Sequence, residues 1–152
     1  MSALAGPLAP PTDPAQRARL DEWVGRIGRL VADVRGWAQA ADWPTRVVDK
    51  TLQDADLGGR YSLPALVIQR DTTRLMMEPV ARQAPGADGV VDFYLMPGYD
   101  DVATLFHYAG GWHVHYPFRD GGTVATVGDG VAKPFGRDTF HELVEEMAGR
   151  AG

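Results

Sequence analysis

The stretch PAQRARLDEWVGRIGRLVADVRGWAQAA, residues 14–41, carries the strongest structural signal in this chain. Its apolar residues recur at alternating spacings of four and three, which places them on one face of an α-helix. The face comprises Leu20, Val24, Ile27, Val31, Val34, Ala38 and Ala41, and Trp23, Leu30 and Trp37 widen it. Asp13 before Pro14, with Gln16 in the first turn, is typical of a helix N-cap. The sequence therefore predicts a long amphipathic N-terminal helix.

A helix over 14–41 is long for one domain of 152 residues. At 1.5 Å per residue it extends about 42 Å, whereas strands usually measure about 17–20 Å. We therefore expect part of the apolar face to meet another chain or the domain's second helix. Trp23, Leu30 and Trp37 edge the face, so we expect them to be partly exposed on a monomer and buried in a symmetric homodimer.

The rest of the chain alternates apolar runs with turn residues, which is typical of an antiparallel meander. Strands are predicted at 64–70, 73–81, 89–96, 102–109 and 112–118, with 123–127 as a last edge strand. Gly110-Gly111 favours a two-residue hairpin turn. Thr139 and Glu142 form a capping box that opens a short C-terminal helix. The predicted fold class is α+β, with a sheet of about five or six strands and the long helix packed on one face.

Two stretches fit more than one element. Residues 45–56 fit a strand or a helix, and their β-branched side chains favour the strand. Residues 101–109 fit a strand or a short capped helix, and we again favour the strand. Residues 1–12 are rich in alanine and proline, so we expect a disordered or loosely docked tail before a single domain over 13–150.

The composition excludes several classes of function. The chain has no cysteine, which rules out disulfides, thiolate metal sites and cysteine nucleophiles. Its net charge is −5 and its basic residues are dispersed, so we expect no nucleic-acid partner. No segment approaches the roughly 20 apolar residues of a membrane span, so we expect no membrane association and a cytoplasmic location.

Alternation along the predicted strands sorts their side chains onto two faces of the sheet. The core face, under the long helix, holds Leu66, Ile68, Leu75, Met77, Val91, Phe93, Leu95, Leu105, Trp112, Val114 and Tyr116. The other face, called the second face below, holds Val67, Arg74, Met76, Glu78, Asp92, Tyr94, Phe106, Tyr108, His113 and His115. Because this second set is aromatic as well as polar, the second face is either a binding surface or partly covered by the short C-terminal helix.

Two functional hypotheses follow from the second face, whose candidate ligand-binding residues are Arg74, Glu78, Asp92, Tyr94, Tyr108, His113 and His115. The first is a non-catalytic interaction module that binds a protein partner or a second copy of the chain. The alternative is a small-molecule-binding domain or enzyme, in which Arg74 or His113 fixes an anion between tyrosine walls. A deep pocket on this face would favour the alternative, and a flat face would favour the module.

Metal and cofactor chemistry has little support in the sequence. His113 and His115 point to one strand face, and Glu78 or Asp92 could add a carboxylate, but two histidines alone are a weak signal. A turn at Gly110-Gly111 would send the side chain of His107 to the opposite face. We therefore predict no metal site, no cofactor and no catalytic residues.

Overall fold

The computed structural model describes residues 13–118 and 131–151, and these form an α+β fold. Helix α1 spans Pro14–Ala40 and helix α2 spans Arg137–Ala151. Between them lie β1 Thr45–Asp54, a 3₁₀ helix Ala55–Leu57, β2 Gly59–Arg70, β3 Thr73–Ala81, β4 Val90–Leu95, β5 Asp100–Tyr108, β6 Gly111–Tyr116 and β7 Val131–Pro134. The described strands form one antiparallel sheet in chain order, which confirms the predicted class with seven strands instead of about five or six. The predicted tail 1–12 and the edge strand 123–127 lie outside the described residues.

Both ambiguous stretches are mainly strands, and only residues 55 and 56 of the first belong to the 3₁₀ helix. Residues of β1 pair with β2 from Thr45 opposite Ile68 to Asp54 opposite Gly59. The stretch 101–109 falls almost entirely within β5, which pairs with both of its neighbours in the sheet. The strand propensity of their residues therefore predicted the correct main element in both stretches.

Helix α1 begins as the sequence predicts and buries most of its apolar face, although Val24 on that face is exposed. The Asp13 carboxylate accepts a hydrogen bond from the backbone N–H of Gln16 at 3.0 Å, and Pro14 occupies the first turn. The buried residues are Trp23, Ile27, Leu30, Val31, Val34 and Ala38. The expectation that Trp23 and Leu30 are partly exposed on a monomer is wrong, because both side chains are buried and the indole N–H of Trp23 donates to the Tyr61 hydroxyl at 3.0 Å.

Helix α2 packs beside α1 on the core face of the sheet. The ring of Phe140 lies 6.0 Å from that of Trp37 and 6.2 Å from that of Phe93, measured between centroids. Trp37 is therefore half-buried by α2 within a single chain. Trp37 thus remains partly exposed as expected for a monomer, and the helix-to-helix homodimer stays a prediction. The packing of α2 also corrects the idea that the C-terminal helix covers the second face.

The core face contains the residues that alternation assigned to it. Nine of the eleven are buried, and the other two, Leu95 and Trp112, are partly buried against the same core. The β5–β6 turn, however, lies at Ala109-Gly110 instead of Gly110-Gly111, because these two residues hold the consecutive positive φ angles of 51° and 79°. His107 consequently pairs with Trp112 and not with Val114. Each β5 residue pairs with a β6 residue two positions earlier than predicted. Because side chains alternate with a period of two, every side chain stays on its predicted face.

Among the described residues, neither helix is long and apolar enough to cross a membrane.

Candidate functional site

The second face brings three of the seven predicted site residues into one continuous row across the sheet. Glu78 on β3 lies opposite Asp92 on β4, which lies opposite Thr104 on β5, which in turn lies opposite His115 on β6. Directly opposed residues in an antiparallel sheet have Cβ atoms about 4.5–5.5 Å apart. The pairings therefore link an acidic part of the face on β3 and β4 to the two histidines of β6.

An aromatic cluster, defined as Phe106, Tyr108, His113 and His115, occupies β5 and β6. The rings of Tyr108 and His113 stack at 3.9 Å and 11°, and Phe106 meets His115 edge-on at 4.9 Å. The Tyr108 hydroxyl lies 3.4 Å from Nε2 of His115. All four side chains are half-buried. The four rings of the cluster thus contact one another, and part of their surface is exposed.

An acidic corner, defined as Glu78, Asp92, Tyr94 and Tyr99, lies beside the aromatic cluster. The Tyr99 hydroxyl donates to Oδ2 of Asp92, and the Tyr94 and Tyr99 rings lie 4.7 Å apart. Lys50 on β1 reaches Glu78 with an Nζ–Oε2 distance of 3.2 Å. Glu78 is therefore charge-paired, whereas the carboxylate of Asp92 is held by a neutral phenol.

Burial and hydrogen bonding shift the pKa values of this face in defined directions. Desolvation by burial raises the pKa of Asp92 above its usual value, although the Tyr99 hydrogen bond lowers it. The same hydrogen bond raises the pKa of Tyr99 to about 12. Desolvation lowers the pKa of His115, and the neighbouring His113 lowers it further. At neutral pH the imidazole of His115 is therefore uncharged.

Arg74 is the predicted site residue that stands apart from the others. It lies opposite Gln69 near the β2–β3 turn and is exposed.

Two residues of the face were missed by sequence reasoning, Lys50 and Tyr99. Lys50 lies on the stretch whose strand assignment was ambiguous, and Tyr99 follows β4 in a connection that alternation cannot place. Only the register of β1 and the β4–β5 connection brings them to the second face.

Within residues 13–118 and 131–151, no three histidine or carboxylate side chains are grouped closely enough to hold a metal ion. His107, the nearest additional histidine in sequence, lies on the helix side of the sheet and pairs with Asp88, with Nδ1 and Oδ1 2.6 Å apart. The side chains of the aromatic cluster interact with one another through ring contacts and a hydrogen bond.

Two cavities are described, and the candidate site residues line neither of them. One of about 410 Å³ lies at the β1–β2 end of the sheet and is lined by Arg46, Val67, Arg70 and Asp71 among others. The other, of about 460 Å³, lies between α1 and the β5–β6 turn and includes Arg29, His107 and Trp112. The aromatic cluster and the acidic corner thus form an open surface beside, and not inside, these cavities.

In comparisons with protein-family models, curated proteins and solved structures, the chain has no significant match.

Proposed function

We propose that this chain is a non-catalytic interaction module that binds a protein partner on the second face of its sheet. The observation that carries the proposal is the packing of both helices on the core face, shown by Phe140 lying between Trp37 and Phe93. Neither helix covers the rings of β5 and β6. Half-buried aromatic side chains on a sheet face that neither described helix covers are the features expected of a contact surface.

The breadth of this surface favours a protein over a small molecule. The site residues lie on four neighbouring strands, β3 to β6, so the surface extends across three inter-strand spacings of about 4.8 Å, or roughly 14 Å. Small-molecule sites are concave and enclose most of their ligand. Of the two described cavities, one reaches the second face only at Val67 on the β1–β2 end and the other lies on the helix side, so the candidate site residues suit a partner that covers them from outside.

The chemistry of the surface resembles the usual organisation of a protein interface, in which uncharged aromatic residues form the centre and charged residues the edge. Here the aromatic cluster supplies the centre, and Arg74, Glu78 and Asp92 lie to one side. Tyr108 is already fixed by stacking on His113. Because such rings lose little rotational freedom on binding, their contact contributes more fully to affinity.

The acidic corner indicates a partner that presents an arginine or lysine next to an apolar side chain. Tyr94 and Tyr99 offer ring faces, and Asp92 offers a desolvated carboxylate beside them. Ring faces and carboxylates both attract cations. The net charge of −5 on the chain would steer a basic partner towards it.

The proposal is tested by placing a photo-crosslinking amino acid at Tyr108 in the host that produces the chain. A matched control places it at Gln39, which is exposed on α1. We expect one protein to cross-link from position 108 and not from 39, and the purified partner to bind the wild type but not Tyr108→Ala. Equal cross-linking from both positions, or unchanged binding by Tyr108→Ala, would overturn the proposal. Cross-linking to a second copy of the chain would overturn the choice of a basic partner.

A further inference from the structure

We infer a second, separate ligand site, for a small planar organic anion, in the cavity between α1 and the β5–β6 turn. The cavity measures about 460 Å³, which falls among the volumes of small-molecule sites, roughly 300–1,000 Å³. The side chains that line this cavity include those of Arg26, Arg29, Leu30, Asp33, His107 and Trp112. The site lies on the helix side of the sheet, so it is independent of the proposed function.

Two guanidinium groups line the cavity, those of Arg26 and Arg29. Arg26 is held in place, because it donates to the backbone carbonyl of Asp88 at 2.9 Å and lies 3.5 Å from Glu22. Arg29 is exposed and makes neither a hydrogen bond nor an ion pair within the described part of the chain. An unpaired guanidinium next to a fixed one is well suited to a carboxylate or phosphate group.

His107 adds a third polar group whose orientation is fixed. Its Nδ1 lies 2.6 Å from the Asp88 carboxylate, which leaves Nε2 for a ligand. The backbone N–H of His107 also donates to the Gly89 carbonyl at 2.9 Å. Although burial raises the pKa of Asp88, the hydrogen bond from His107 and the charges of His107 and Arg26 bring it below its usual value. The Asp88 carboxylate is therefore paired with His107, and the anion would bind to the other polar groups of the cavity.

The apolar side of the cavity favours a ligand with a flat ring. Trp112 meets His107 edge-on at 5.1 Å and is only partly buried, so part of its indole remains open to a ligand. Leu30 closes the wall beside it. Asp33 is the one carboxylate among the lining residues, and the two arginines outnumber it. The cavity therefore combines an anion-binding end with an aromatic platform.

The test uses benzoate and phenyl phosphate as probes, with benzamidine as the cation of matching shape. We expect either anion to shift the indole N–H signal of Trp112 in a saturable way, and benzamidine to leave it unchanged. No shift with either anion at millimolar concentration, or equal binding of benzamidine, would overturn the inference. Comparing the two anions shows whether the oxyanion is a carboxylate or a phosphate.

Variants identify the groups that bind the probe. Arg29→Gln should lower the affinity for the tighter-binding of the two anions about fivefold, because it removes one solvent-exposed charge-assisted hydrogen bond. Arg35→Gln, an exposed arginine on the same helix that does not line the cavity, should leave affinity unchanged. Asp33→Asn should tighten binding, and Tyr108→Ala on the second face should not alter it. Equal effects of Arg29→Gln and Arg35→Gln would contradict the site.

Discussion

Tyr108 and His113 stack face to face, with ring centroids 3.9 Å apart and planes 11° from parallel. They are not directly opposed in the sheet, because Tyr108 pairs with Gly111 and His113 pairs with Phe106. Gly111 presents no side chain across from Tyr108, and the tyrosine ring leans diagonally onto β6. The position of the hairpin turn, one residue earlier than the glycine pair suggests, thus sets this contact.

The stability of the chain should fall on mild acidification because of His115. Its pKa is lowered in the folded state, so between that pKa and the unfolded value near 6.5 the unfolded chain binds more protons. The free energy of unfolding should therefore decrease as the pH falls below about 6.5. Urea unfolding at pH 7.5 and 5.5 measures this difference. His115→Gln should reduce the difference, and an unchanged pH dependence in that variant would assign the effect to another group.

Tyr99 should keep its proton at a pH where an ordinary tyrosine ionises. Its hydrogen bond to Asp92 raises the pKa of Tyr99 to about 12. Phenolate absorbance at 295 nm, followed up to pH 11, should therefore rise equally in the wild type and in Tyr99→Phe. A smaller rise in the variant, by the signal of one tyrosine, would show that this hydrogen bond does not form.

Two glycine substitutions should have opposite effects on stability. A Cβ atom at Gly89 would lie 3.0 Å from the buried Trp23 ring and 3.1 Å from that of Trp112. Gly89→Ala should therefore destabilise the chain by about 1–3 kcal/mol, as overpacking does. At Gly28, on the exposed side of α1, a Cβ meets nothing within 4 Å. Gly28→Ala should stabilise by up to about 1 kcal/mol. Equal effects in urea unfolding would contradict the close approach at Gly89.

The residues around Asp13 predicted the N-cap of α1, and the periodicity of the apolar residues predicted most of the buried face of α1 and the core face of the sheet. Periodicity identifies the apolar side of α2 but not the side of the sheet on which it packs. That choice depends on Phe140 meeting Trp37, residues distant in sequence. Likewise, Lys50 joins the acidic corner only through the register of β1, and the His107–Asp88 pair depends on backbone bonds between Asp88, Gly89 and His107.

The hydrogen bond between Trp23 and Tyr61 should contribute measurably to stability. The indole N–H of Trp23 is buried, and the Tyr61 hydroxyl at 3.0 Å is its partner. Tyr61→Phe leaves this donor unsatisfied and should cost about 1–3 kcal/mol in thermal or urea unfolding. Tyr108→Phe provides the control, because its half-buried hydroxyl is more easily replaced by water. A loss in Tyr61→Phe no larger than in the control would show that the bond contributes little.

The aromatic cluster of the second face is the surface that we propose binds the protein partner. The most direct measurement is calorimetric titration of the purified partner into wild type, Tyr108→Ala and Val24→Ala, with the fold of each checked by circular dichroism. Val24 is a matched apolar control, 38% exposed on α1. We predict that Tyr108→Ala weakens binding at least about tenfold, as for a residue at the centre of an interface, while Val24→Ala leaves it unchanged. Wild-type affinity in Tyr108→Ala, or a loss confined to Val24→Ala, would contradict the account.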